Sequence, residues 1–152
     1  MQLDIIDKQL IGLLQENCKR TTKALSIELG LSVTAVYERI RKLENHHIIK
    51  AYVALIDKKA VDKNFMAFCH IKLVQHSKDF VIKFEREVAK LNEVLECYHI
   101  SGDYDYILKV LVNDMTEFRD FMVTKLTNID HIGSTHSMFV INEVKHTTKI
   151  NM

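Results

Sequence analysis

Residues 21 to 45 contain two short runs of helical periodicity separated by Leu29-Gly30-Leu31-Ser32, and few tertiary arrangements accept that pattern. Thr21 offers a hydroxyl to cap the first run, Gly30 can take the left-handed backbone of an abrupt turn, and Ser32 can cap the second run. In the second run Val33, Val36, Ile40 and Leu43 share one side. Thr34, Ala35, Glu38, Arg41, Lys42 and Asn45 must then face outward, with Tyr37 and Arg39 on the flanks. The spacing predicts a helix-turn-helix. Its outward row mixes cations, a carboxylate, a hydroxyl and an amide, which can supply both phosphate contacts and groove-edge donors and acceptors. Double-stranded DNA is the expected partner, and Ser32, Thr34, Tyr37, Glu38, Arg41 and Lys42 are the expected DNA-binding residues. An ordinary helical pair in a core would show the same turn.

Charge is distributed as a DNA reader requires, although the chain as a whole carries only +1. Between Lys19 and Lys50 seven Lys or Arg face three Glu, so the remainder is slightly acidic and the electrostatic footprint falls on one module. The apolar runs are far short of a bilayer span, and Met1-Gln2-Leu3-Asp4 lacks the basic start and apolar core of a signal peptide. No membrane segment and a cytoplasmic location are expected. Cys18, Cys69 and Cys97 are odd in number and form no Cys-x-x-Cys pair, which suits reduced thiols rather than disulfides or zinc. Among eight histidines His46-His47 is the only adjacent pair, and neighbours on a helix diverge by about 100°. His70, His76, His99, His131, His136 and His146 are scattered. No metal site, cofactor or catalytic residue is expected.

Periodicity divides the chain into three parts. Asp4 and Asp7 open a helix whose Ile6, Leu10, Leu13 and Leu14 form an apolar stripe, giving a three-helix, winged-type module over residues 1–48. From Ile49 to Leu55 the period becomes two, which predicts a linker strand, and Asp57 to Asn64 is the expected hinge, so the linker and hinge cover 49–64. Residues 65–152 read as strand 65–74, a helix begun by Ser77, strand 94–100, strand 104–112, a helix begun by Asp114 and Glu117, and strand 135–144. The fold class is therefore α+β, with a ferredoxin-like βαββαβ module whose helices cover one sheet face. Tyr104, Tyr106, Leu108, Val110 and Val112 are expected to share a face. Phe68, Ile107 and Leu111 would lie on the uncovered face beside Lys72, Asp105 and Lys109. A second copy is the simplest cover, and such a homodimer would double the reading helix for two half-sites.

Leu3-Asp4 with Asp7, Gly30-Leu31-Ser32, Val36, Arg39-Ile40, Leu43-Glu44 and Ile49, followed by Ser101-Gly102-Asp103-Tyr104-Asp105-Tyr106, resemble the Lrp/AsnC feast/famine transcription regulators. The resemblance spans essentially the whole chain. It implies a dimer through the C-terminal module, often four dimers in a ring, and an amino acid bound between dimers. The chain departs from the family pattern at His47, where Gly is usual, at Ser26, where Ala is usual, and at Lys58 and Asp62, where Pro and Gly are usual. Thr135-His136-Ser137 stands where Thr-Arg-Thr is common.

The expected effector-binding residues are Ser101, Gly102, Asp103, Tyr104, Asp105, Thr135 and Ser137. Gly102 lets backbone N–H groups approach a small carboxylate, and Asp103 or Asp105 offers an anion to an ammonium group. The alternative is a tight hairpin in which Asp105 caps backbone, with Thr135 and Ser137 as plain strand hydroxyls. Two other functions fit a chain of this organisation. A sirohaem-decarboxylase-like enzyme would need His and Arg around a tetrapyrrole, yet only Arg86 and Arg119 lie in the C-terminal module. A nucleoid-type architectural protein would wrap long DNA with little sequence preference.

Overall fold

A computed structural model describes residues 2 to 152. The chain forms two compact units, one running to Leu55 and including Val144–Met152, the other spanning Ile56–Glu143.

The first unit holds helices α1 (Ile5–Glu16), α2 (Thr22–Leu29) and α3 (Val33–Asn45). Each begins where a side chain can satisfy free N–H groups. Asp4 accepts from the Asp7 N–H at 2.7 Å while Asp7 accepts from the Asp4 N–H at 3.2 Å, a reciprocal capping box. Thr21 and Ser32 accept from the N–H groups of Ala24 and Ala35, both at 3.1 Å. Gly30, at φ 65°, makes the left-handed turn between α2 and α3. Leu10, Ile11, Leu14, Leu25, Val36 and Leu43 form the core. Val33, placed inward by its spacing, is exposed because the first turn of α3 lies beyond that core. Ser26 is buried and donates its hydroxyl to the Lys23 carbonyl at 2.8 Å, so the polar group is satisfied where Ala is usual.

Helix α3 ends as the family pattern requires even without glycine. His47 takes φ 56°, its N–H bonds to Glu44 O, and the Ile48 N–H reaches back to Leu43 O, both at 2.9 Å. That pair of bonds is a Schellman motif built on a histidine.

The linker strand expected over residues 49–55 does not form: no strand among the described residues pairs with it, and a strand exists only through a partner. Tyr52 is held instead by its hydroxyl, which donates to Glu44 at 3.0 Å. No β-strand, and hence no wing, is found among the described residues of this unit. The final residues pack on α1, where Ile150 exchanges two hydrogen bonds with the Gln15 side chain and Lys149 reaches Glu16 at 2.6 Å.

The second unit contains β1 (Phe65–Leu73), α4 (Lys78–Val88), β2 (Val94–His99), β3 (Tyr106–Val112), α5 (Met115–Asp120) and β4 (Ile132–Phe139). All pairings are antiparallel in the order β2-β3-β1-β4, the ferredoxin-like arrangement. Ala67, Cys69, Ile71, Tyr106, Leu108, Val110 and Val112 point to one face and are buried against Phe84, Val88, Phe118, Phe121 and Leu126. Each buried Val, Leu, Ile or Phe among them contributes about 1.5–3 kcal/mol by leaving water. The segment after Asp114 is not one regular helix, because a π-helical turn at Phe121–Lys125 follows α5. That wider turn returns Leu126 to the face of Phe121, five positions earlier. The hinge carries a 3-10 turn at Lys59–Val61, after which Asp62 adopts φ 58° at the usual glycine position.

Strands β4 and β3 differ most from the sequence-based expectation. Strand β4 starts at Ile132 and stops at Phe139, because β1 begins at Phe65 and the last bond available is from the Val140 N–H to Met66 O. Strand β3 starts at Tyr106 rather than Tyr104, since the bend at 101–105 breaks the alternation. Tyr104 consequently does not share the buried face of Tyr106. Its ring packs edge-on against His70, on the sheet face that no helix covers.

Candidate nucleic-acid interface and effector turn

Capping fixes where α3 begins, and burial of Val36 and Leu43 fixes its rotation. Ser32, Thr34, Tyr37, Glu38, Arg41 and Lys42 are all exposed on the remaining surface. Arg41 lies over the Tyr37 ring at 5.9 Å, so the aromatic flank and the cation form one surface. The other arginines of this unit are committed elsewhere. Arg39 reaches Asp4 at 2.7 Å and Asp7 at 2.5 Å, and Arg20 is paired with Glu28. Neither Arg41 nor Lys42 forms an ion pair among the described residues, which leaves both free for phosphate or base edges. Asp7, although buried, was legible as a cap and not as the partner of Arg39, since nothing in the spacing joins positions thirty-two residues apart.

The turn at 101–105 is open and polar, with Ser101, Gly102 and Asp103 exposed. Gly102 has φ 115° and open space where a Cβ would stand, so its backbone is accessible and the position is conformationally reserved for glycine. Asp105 is not an open carboxylate. Its carboxylate turns inward to accept the Leu73 N–H at 2.7 Å and lies 2.6 Å from His76 Nε2. Desolvation works to raise the Asp105 pKa, but those two hydrogen bonds outweigh it and hold the carboxyl below its ordinary range. His76 is a residue sequence reasoning missed, and no spacing signal identifies it.

Thr135 and Ser137 lie on β4 opposite Ile71 and Cys69, on the helix-facing side; His136, between them, lies on the uncovered face opposite His70. The Ser137 hydroxyl contacts the buried Cys69 thiol at 3.5 Å. Tyr104 and the two strand hydroxyls therefore sit on opposite sides of the sheet and do not converge within one chain.

A tri-helical module presenting a charged third helix, with a ferredoxin-like module bearing an open glycine turn, defines a DNA-binding regulator with a ligand-binding domain. Residues 3–44 match the AsnC-type helix-turn-helix domain, and residues 66–150 match the Lrp/AsnC ligand binding domain. The chain belongs to the Lrp/AsnC family of transcription regulators.

Over 145 residues it is 36% identical to the leucine-responsive regulatory protein of Haemophilus influenzae, covering 95% of this chain and 87% of that one. It is 34% identical over 148 residues to the Escherichia coli K12 protein of the same name, covering 97% and 90%. Among solved structures, an AsnC family regulator from Agrobacterium tumefaciens superposes with TM-score 0.93 at 32% identity, covering 97% and 96%. A transcriptional regulator from Neisseria meningitidis, solved as an L-Met complex, superposes with TM-score 0.92 at 32% identity, covering 98% and 96%. These relatives are regulators rather than enzymes, which removes the decarboxylase alternative. No helix among the described residues is long and apolar enough to cross a membrane.

Proposed function

We propose that this chain is a sequence-specific regulator that reads duplex DNA through α3 and alters its assembly or operator affinity when an amino acid binds at the 101–105 turn. The observation that carries the first half is the outward row Ser32, Thr34, Tyr37, Glu38, Arg41 and Lys42, in which the two cations have no carboxylate partner among the described residues. The effector half is supported by the exposed backbone at Gly102 and by the L-methionine complex of the Neisseria relative. With Asp105 engaged by Leu73 and His76, Asp103 is the carboxylate available to a ligand ammonium group. Thr135 and Ser137 face away from Tyr104, so they complete the pocket from a neighbouring copy.

A homodimer covers the open sheet face and gives two reading helices in one particle, with a ring of four dimers as the larger assembly. Such a protein works in the cytoplasm, where its DNA is. Thermal unfolding with each of the twenty amino acids, methionine first, tests the effector half. A ligand at about one hundred times its Kd stabilises the folded state by about 2.7 kcal/mol. Gly102→Val should abolish that response while operator binding survives; if no amino acid raises the unfolding temperature, the amino-acid reading fails.

A further inference from the structure

We propose that His76 is a specificity-determining residue of the effector turn, an imidazole that Asp105 orients to receive the α-carboxylate of the bound amino acid. The inference rests on the effector reading above and names what that reading lacks, a side-chain cation for the ligand's anion. His76 belongs to no strand: it stands in the loop between β1, which ends at Leu73, and α4, which begins at Lys78. Strand register brings this loop and the effector turn to one end of the sheet, because Ile71 on β1 and His99 on β2 both pair with Tyr106, the first residue of β3. A homodimer built on the open sheet face uses strand side chains, whereas the loop and the turn lie beyond the strand ends.

Asp105 is the pivot of this end. Its carbonyl accepts the Ile100 N–H at 2.8 Å, which closes the turn, and its own N–H donates to Ile71 O at 2.9 Å. One carboxylate oxygen accepts the Leu73 N–H at 2.7 Å, where the β1–β4 register shifts, and the other lies 2.6 Å from His76 Nε2. The imidazole is thereby fixed to the base of the turn. Desolvation works against ionisation of Asp105, but the bonds from Leu73 and His76 keep it ionised. An ionised carboxylate only accepts, so the hydrogen between the two groups is carried by Nε2. Nδ1 is the ring nitrogen with no partner among the described residues. A carboxylate that holds one nitrogen of a histidine sets the ring and its tautomer for whatever the other nitrogen serves. As imidazolium the ring donates from Nδ1 as well, and a ligand carboxylate there makes a charge-assisted hydrogen bond.

The remaining charges of this end suit a zwitterion. Lys72 is near enough to favour the Asp105 anion, which puts a second positive charge around the pivot, and Asp103 is an exposed anion within the turn. A ligand carboxylate is drawn to His76 and its ammonium group to Asp103. That arrangement favours a free amino acid over its amide, because an amide leaves the imidazolium without its anion.

The test is calorimetric titration of the full chain with L-methionine and L-methioninamide, repeated with L-leucine and its amide. The wild type should bind the acid at least about tenfold more tightly than the amide, the worth of one charge-assisted hydrogen bond. His76→Ala should reduce that preference by about tenfold. The same variant should keep the wild-type affinity for the amide and for operator DNA without ligand, since the side chain is largely exposed. In the unmodified protein the His76 ring resonances should shift with the acid and stay in place with the amide. An acid preference as large in His76→Ala as in the wild type, or none in the wild type, overturns the role of His76 and leaves the effector turn standing. Binding of neither amino acid by the wild type overturns the effector reading and this inference with it.

Discussion

Arg39 Nη1 lies 2.5 Å from the buried Asp7 Oδ1, so helix α3 is tied to the capping box that starts α1. The second contact, to Asp4, makes one guanidinium serve both members of that box. Arg39→Ala leaves Asp7 with a buried carboxylate and no cation. Loss of one partner of a buried pair costs about 3–5 kcal/mol, and the partial exposure of Arg39 places this case at the lower end. Chemical denaturation should therefore show a loss of about 3 kcal/mol. An unchanged midpoint would mean that the pair is only a surface contact.

His47 offers the opposite experiment. It holds φ 56° in a Schellman turn, a conformation that costs an L-residue about 1–2 kcal/mol and glycine nothing, against a glycine entropy penalty of about 0.5–1 kcal/mol. His47→Gly should raise stability by up to about 1 kcal/mol. A drop in unfolding temperature would show that the imidazole makes a compensating contact.

These two positions illustrate what was readable in the chain. Caps, the Gly30 turn and the buried stripes follow from local spacing, and every one of Thr21, Ser32, Ser77 and Asp114 caps the helix it precedes. The βαββαβ order followed from the same periodicities. Contacts between distant segments did not, because a carboxylate at position 105 gives no sign that it will meet Leu73 and His76. The linker misled for a related reason: its alternation is strand-like, but no strand among the described residues pairs with it. The outward-facing residues of α3 were legible because rotation of the helix follows from burial of Val36 and Leu43.

Asp105 predicts a pH dependence. Its folded pKa lies below the ordinary 3.8, so its stabilisation is fully present above that value and is lost as pH falls through the lower folded value. Asp105→Asn removes the titration. The stability of the wild type should fall more steeply below about pH 4 than that of the variant. Parallel acid limbs would mean that the carboxylate is not preferentially ionised in the folded protein.

On the uncovered face Ile107 sits between Tyr98 on β2 and His70 on β1. If a second copy covers it, Ile107→Asp places an unpaired charge in an apolar contact and should shift the full-length protein toward monomer in sedimentation at micromolar concentration. Retention of the wild-type assembly would move the dimer contact elsewhere.

If α3 binds DNA through Arg41 and Lys42, the salt dependence of operator affinity shows it most directly. With its own upstream region as the DNA, log K should fall linearly with log salt concentration for the wild type. Arg41→Ala and Lys42→Ala should each reduce that slope by about one unit if the contact is to phosphate, or relax base preference by about 1–3 kcal/mol if it is to a base edge, with helix content unchanged. A folded double variant with wild-type affinity, salt slope and site preference would contradict the assignment of α3 as the reading helix.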